Sequence, residues 1–384
     1  MPCLRFAPRN RATHRRSGRL VGLGLGLLAL SIMLTSQVSA TALTTAKAAT
    51  RSAAHAFATS SVPPAGAGSA CVPGPKLVPT CGTLFGAAPN IETSTGTQNA
   101  TKDVEVAGFE SLVGRSLDVV HGYHTNDDKF PNPYEVAVAT EAGHSRILLL
   151  NWRPAMDMTW AAAAAGGADA RIDAEAARLK AFGHPIMIAV WHEPEHFVNT
   201  TPGSGMSPPD YRAMVRHAIL RLRAQGATNA VFVQIYQGFP AYAVQTWWTQ
   251  MYPGDDVIDW IASDSYNSGN PTGYNSGDFA SLVNRVKDTW SGWYQWATTA
   301  HPGKPLMLAE WGIWYRSATP SRMAWFYGSV QNELAQYPAI KALNYYNAIA
   351  GYSQGTTRVD ATLSSLAAYQ ALATSVTPVN LSGL

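Results

Sequence analysis

Pro185-Ile186-Met187-Ile188-Ala189-Val190-Trp191-His192-Glu193-Pro194-Glu195-His196 decides the fold, because it admits two incompatible readings. Its second half contains H-E-x-x-H, which on a helix would offer zinc two histidines one turn apart. Its first half points elsewhere. The apolar run from Pro185 to Trp191 leads straight into the motif, and such a run reads as a strand buried on both faces. Pro194 stands where an established helix would lose a hydrogen bond, and Asn199 to Pro209 is a loop rich in Pro, Gly and Ser. The two histidines therefore do not share a helix face, and Glu193 is placed just beyond the C-terminal end of a strand. The zinc peptidase reading is set aside, and the chemistry is expected to need no metal and no cofactor.

Outward from this stretch, seven more apolar runs begin near Thr83, Leu117, Arg146, Ala230, Val257, Pro305 and Ile340. Their spacing of roughly 30–45 residues is that of strand-plus-helix units. Ser207-Pro208-Pro209-Asp210 combines a cap, a first-turn proline and a capping-box acid ahead of Met214, Val215, Ala218, Ile219 and Leu222, and Gly226 closes that helix. Eight alternating units predict an α/β fold, a (β/α)8 TIM barrel, in preference to an open doubly wound sheet with its glycine-rich phosphate loop.

A barrel of this kind builds its active site at the C-terminal ends of its strands, and the ends here are polar. They carry His121, Tyr123 and His124; Asn151, Trp152 and Arg153; His192 and Glu193; Gln234, Tyr236 and Gln237; Asp264, Tyr266 and Asn267; Glu310 and Trp311; and Asn344, Tyr346 and Asn347. Glu193 and Glu310 each follow an apolar strand, so both would face one cavity. Glycoside hydrolysis needs such a pair, one carboxyl protonating the leaving oxygen while the other attacks or stabilises the anomeric carbon. The chain also has 12 Trp and 16 Tyr, and flat aromatic surfaces suit the apolar C–H faces of sugar rings. Trp152, Trp311 and Tyr346, at strand ends, are expected to contact substrate in the cleft. Trp290, Trp293 and Trp296 are expected to pack an outer helix.

Composition agrees with a large folded core: of 384 residues, 46% are hydrophobic and 14% charged. The formal charge of +3 comes from six arginines, Arg5, Arg9, Arg11, Arg15, Arg16 and Arg19, in a first 40 residues that contain no acid. Without them 22 basic residues face 25 acidic ones, which removes the dense basic footprint of a nucleic-acid binder. Those arginines precede the apolar run Leu20 to Leu34 and the small-residue pattern Val38-Ser39-Ala40, so residues 1–40 read as a secretory signal peptide, too short to span a bilayer. Residues 41–70, nearly all Ala, Thr, Ser, Pro and Gly, read as a linker. Residues 71–384 are the expected catalytic domain. In an exported chain that loses Cys3 with its signal, Cys71 and Cys81 are expected to form a disulfide.

From about Cys81 to Ala373 the chain resembles glycoside hydrolase family 26, the beta-mannanase-like family of retaining barrels. Four motifs carry the resemblance: Phe109-Glu110 with Gly114-Arg115 before Leu117-Asp118-Val119-Val120-His121; His192-Glu193-Pro194-Glu195; Tyr252-Pro253-Gly254-Asp255-Asp256 through Asp259-Trp260 to Asp264-Ser265-Tyr266-Asn267; and Lys304-Pro305-Leu306-Met307-Leu308-Ala309-Glu310-Trp311-Gly312. The resemblance implies that Glu193 is the general acid/base, that Glu310 is the nucleophile, and that Tyr266 holds the nucleophile. It also implies that His192 lies beside the sugar at the cleavage point. His121 and Asp264 are further expected substrate contacts. Two departures stand out. Mannanases of the family continue the strand-four motif with Met-Asn-Gly and tryptophans where this chain has Pro194-Glu195-His196-Phe197, and Tyr345-Tyr346 occupies a place where they commonly have tryptophan. The expectation is a secreted, monomeric retaining beta-glycanase acting on beta-1,4-mannan, with no nucleic acid partner and no lasting membrane insertion. The alternatives are xylan, mixed-linkage glucan or an exopolysaccharide as substrate, and, from another class, a carbohydrate-binding protein on a hydrolase scaffold.

Overall fold

A computed structural model of the chain describes residues 70–92, 102–349 and 355–384. The expected signal peptide, and the linker apart from Ala70, lie outside the described residues. Eight parallel strands close into a barrel in sequence order: β1 Leu84–Glu92, β2 Val119–Thr125, β3 Ile147–Arg153, β4 Ile186–Val190, β5 Ala230–Tyr236, β6 Trp260–Asn267, β7 Leu306–Ile313 and β8 Ile340–Ile349. All eight runs read from the sequence are strands. The sixth starts later than its apolar character suggests, because the backbone N–H groups of Val257 and Ile258 close a turn onto the Gly254 carbonyl and Trp260 is the first ladder residue.

Alternation along each strand divides the apolar residues into two clusters. On β3, Ile147 and Leu149 belong to the barrel interior, with Met187, Val233, Trp260, Met307 and Ala342. Leu148, Leu150 and Trp152 point outward into the layer between strands and helices. The helix Pro208–Ala224 shows how that outer layer is made. Ser207 and Asp210 form the expected capping box, and Tyr211, Met214, Val215, Ala218, Ile219 and Leu222 form its buried face.

Several residues in the shared motifs build the floor of the barrel. Asp118, just before β2, accepts the Phe85 N–H of β1 at 2.8 Å while its own N–H binds the Phe85 carbonyl at 2.7 Å. Asp259, just before β6, does the same to Phe232 of β5, at 2.9 and 2.8 Å. Cys71 and Cys81 form the expected disulfide. Leu77, inside the loop they close, packs with Val379 and Leu381 against the lowest interior residues, and the Trp260 indole donates to the Lys76 carbonyl at 2.8 Å. Among the described residues, no helix is long and apolar enough to cross a membrane.

Candidate active site

At the opposite end of the barrel, β4 stops at Val190 and the chain turns sharply. Trp191 and Glu193 both adopt left-handed backbone conformations, with φ of 59° and 49°. For residues other than glycine this costs on the order of 1–3 kcal/mol each and persists only where surrounding contacts enforce it. Here the Trp191 N–H binds the Trp152 carbonyl at 2.8 Å and the Glu193 N–H binds the Ile235 carbonyl at 3.1 Å. Pro194–Phe197 then makes a single 3-10 turn. The two histidines of H-E-x-x-H diverge as expected: His192 meets Arg153 of β3 at 3.2 Å, while His196 meets the Gln237 side-chain amide and the Tyr242 hydroxyl.

Glu310 arrives from β7 by way of a bulge. Ser263 pairs with Leu308 but Asp264 pairs with Glu310, leaving Ala309 as an extra residue. Ala309 and Glu310 therefore both face the interior. The Tyr123 hydroxyl of β2 donates to Glu310 Oε1 at 2.7 Å, and the Tyr266 hydroxyl of β6 donates to Oε2 at 2.6 Å. His121 lies beside Tyr123, with ring centroids 4.6 Å apart, and Tyr346 stands edge-on to Tyr266 at 5.8 Å. Asp264 is buried inside the barrel next to Glu310.

The electrostatics separate the two glutamates. Burial, then the negative charges of Glu310 and Glu195, push Glu193 up to about 8, against a weaker downward pull from Arg153. Burial also raises Glu310, but the two tyrosine hydroxyls favour its ionised form and oppose the rise. Burial and the neighbouring Glu310 hold both phenols well above their ordinary range, so they stay protonated and keep donating. His192 is held well below its usual value by burial and by Arg153, and is neutral. Asp264 is pushed well up by burial and by Glu310 and Glu193. The two glutamates thus differ in environment: burial and like charge favour the neutral form of Glu193, whereas at Glu310 two hydroxyl donors oppose the rise that burial causes.

Of the residues singled out from the sequence, Glu193, Glu310, His192, His121, Asp264, Tyr266 and Tyr346 come together here. Trp152 and Trp311 do not, which corrects the expectation that they contact substrate. Both are fully buried in the outer layer. Strict alternation sends Asn151 and Arg153 inward and Trp152 outward, where its indole donates to the Asn126 carbonyl at 3.1 Å and its ring meets Phe130. The β7 bulge turns Trp311 outward against Tyr345. Tyr123, Arg153 and Glu195 were missed as site residues. The same alternation that places His121 and Asn151 inward would have found the first two. A cavity of about 420 Å3 lined by Arg115, Asp118, His144 and Asn380 lies at the barrel floor, remote from these carboxylates.

No family profile matches the chain. Endoglucanase H of Acetivibrio thermocellus is 29% identical over 230 residues, covering 56% of this chain and 23% of that protein, so the chain spans less than a quarter of its relative's length. Among solved structures, a ruminal family 26 endo-beta-1,4-mannanase has a TM-score of 0.51 at 16% identity, over 76% of this chain and 63% of that one. The catalytic domain of a family 26 endo-beta-1,4-mannanase from Bacillus sp. JAMB-750 has the same TM-score and identity, over 76% and 85%. At such identities the likeness is one of fold. In its barrel, as in the motifs at its strand ends, the chain is similar to glycoside hydrolase family 26.

Proposed function

We propose that the chain is an exported, monomeric retaining beta-glycanase acting by double displacement. Glu193 protonates the glycosidic oxygen as the bond to the leaving sugar breaks, and Glu310 attacks the anomeric carbon to form a covalent glycosyl-enzyme. Glu193, ionised once its proton has gone, then takes a proton from the water that releases the sugar. The observation that carries this reading is the asymmetry of the two carboxyls: Glu310 is held by two hydroxyl donors, while burial and Glu310 keep Glu193 protonated. Beta-1,4-mannan is the first substrate, following the family resemblance. A beta-glucan is the second, favoured by the sequence match to an endoglucanase and by the departure from the mannanase pattern at Pro194-Glu195-His196-Phe197.

The test is a panel of purified mannan, xylan and beta-glucans assayed for new reducing ends, followed by variants on the active polysaccharide. Glu310→Ala is expected to abolish turnover. Glu193→Ala is expected to lose roughly 10²–10⁴-fold on the polysaccharide and far less on aryl glycosides whose leaving group needs no proton. Inverted products, or near wild-type rates in both variants, would refute the mechanism. Silence on every polysaccharide would favour a binding protein on a hydrolase scaffold.

A further inference from the structure

Glu195 lies two residues beyond Glu193 and is only 3% exposed. Its Oε1 accepts the Gln237 backbone N–H at 3.1 Å and the Trp248 indole N–H at 3.2 Å, whereas its Oε2 is buried without a hydrogen-bond partner. Gln237 directly follows β5, and Trp248 begins a 3-10 turn over Trp248–Met251. Gly238 lets the chain after β5 run tightly against β6: its φ is +70°, and a Cβ there would fall 2.3 Å from Ser263 Oγ and 2.4 Å from Ser265 Oγ. One side chain therefore ties the turn that carries Glu193 to the next strand and its loop. A glutamine could accept the same two bonds through its amide oxygen without burying an ionisable group. The hydrogen bonds alone do not account for an acid at this position.

We propose that Glu195 is a positioning residue for the acid/base step: it pins the Glu193 turn against β5 and sets a second acidic group beside Glu193 on the same turn. The proposal rests on the reading of Glu193 as the acid/base. Glu193 is faced by the acids Glu310 on β7 and Asp264 on β6, and by the cation Arg153 on β3. Glu195 is faced by the phenols of Tyr211, Tyr236 and Tyr242 and by the acid Asp264 on β6, and among the described residues it forms no ion pair. His192 and His196 flank the pair, and both are held below their usual values by burial and then by Arg153. Glu195 is itself pushed up to about 7 by burial. The carboxylate nearest to Glu193 along its own turn thus ionises near neutrality and opposes a second negative charge beside it.

The experiment compares kcat/KM against pH for wild type and Glu195→Gln, on the polysaccharide found by the panel and on an activated aryl glycoside of the same sugar. Glu195→Gln is expected to keep the thermal midpoint and to move the basic limb down by roughly half a unit to one unit. Above the wild-type limb that is a roughly three- to tenfold loss on the polysaccharide, with little change on the aryl glycoside. An unmoved basic limb overturns the proposal, as does an equal loss on both substrates. If Glu195→Gln does not fold, Glu195→Asp and Glu195→Asn pose the same question at equal side-chain length, and the limb is expected to lie lower in the asparagine variant. Glu193→Ala separates the two readings. Without leaving-group dependence in that variant, the acid assignment itself falls; with it, and with an unmoved limb in Glu195→Gln, only the role of Glu195 falls.

Discussion

Glu310 owes its environment to two hydroxyls that reach it from different strands, Tyr123 on β2 and Tyr266 on β6. A hydrogen bond to a charged group contributes about 1.5–3 kcal/mol, so each phenol favours the carboxylate over the neutral acid. Either Tyr123→Phe or Tyr266→Phe is expected to cost roughly tenfold to a hundredfold in kcat with little change in KM. The sign of the pH effect follows: removing a donor to the ionised form raises the Glu310 pKa, so the acid limb of kcat/KM moves to higher pH. A pH-rate profile checks this, and an acid limb unmoved in both variants would remove the tyrosines from the mechanism. The two positions differ in how legible they are. Tyr266 can be read from its motif, one position before the end of a long shared stretch. Tyr123 shows in the sequence as a polar residue ending an apolar run, but its meeting with Glu310 depends on barrel closure, which brings together residues 187 positions apart. The pinning of the Glu193 turn by Glu195 was hidden for the same reason, since Gln237 and Trp248 come from outside the motif.

Strands were legible as runs, and their side-chain direction was legible only where alternation is unbroken. On β3 the period-two rule alone turns Trp152 outward, so its assignment to the cleft was an error of parity that the sequence could have prevented. On β7 the extra residue at Ala309 defeats the rule. Counting from Met307 would place Trp311 in the interior, but the bulge gives that position to Glu310 and sends Trp311 into a cluster with Tyr345, Tyr327, Phe326 and Tyr369. Such bulges re-aim side chains next to active sites, and apolar patterning carries no mark of them. The two tryptophans are therefore expected to govern stability. Trp152→Ala and Trp311→Ala should each lower the free energy of unfolding by about 3–5 kcal/mol, while KM stays near wild type in the protein that remains folded. Urea unfolding alongside kinetics decides the matter: a large rise in KM with unchanged stability would return these residues to the cleft.

At the scale of the whole molecule, the proposed chemistry and the support occupy opposite ends of one barrel. The upper end carries buried carboxyls and left-handed turns that are costly to fold, and the lower end carries devices that stabilise closure: Asp118 and Asp259 reaching across to the neighbouring strands, and the Cys71–Cys81 loop packed beneath the interior. That loop also meets the C-terminal segment, with the Asn380 N–H bound to the Cys71 carbonyl at 2.7 Å. Closing a loop of sequence separation 10 removes unfolded-state entropy equivalent to about 2–3 kcal/mol in the loop-closure model. Cys71→Ser with Cys81→Ser, or reduction of the native protein, is expected to lower the free energy of unfolding in urea by that amount. Turnover per folded molecule should not change, because neither cysteine touches the strand ends that carry Glu193 and Glu310. Comparing urea unfolding with kcat, before and after reduction, separates support from chemistry. A proportionate loss of kcat in protein that remains folded would mean that the floor of the barrel governs the geometry at its mouth, and the division between the two ends would have to be abandoned.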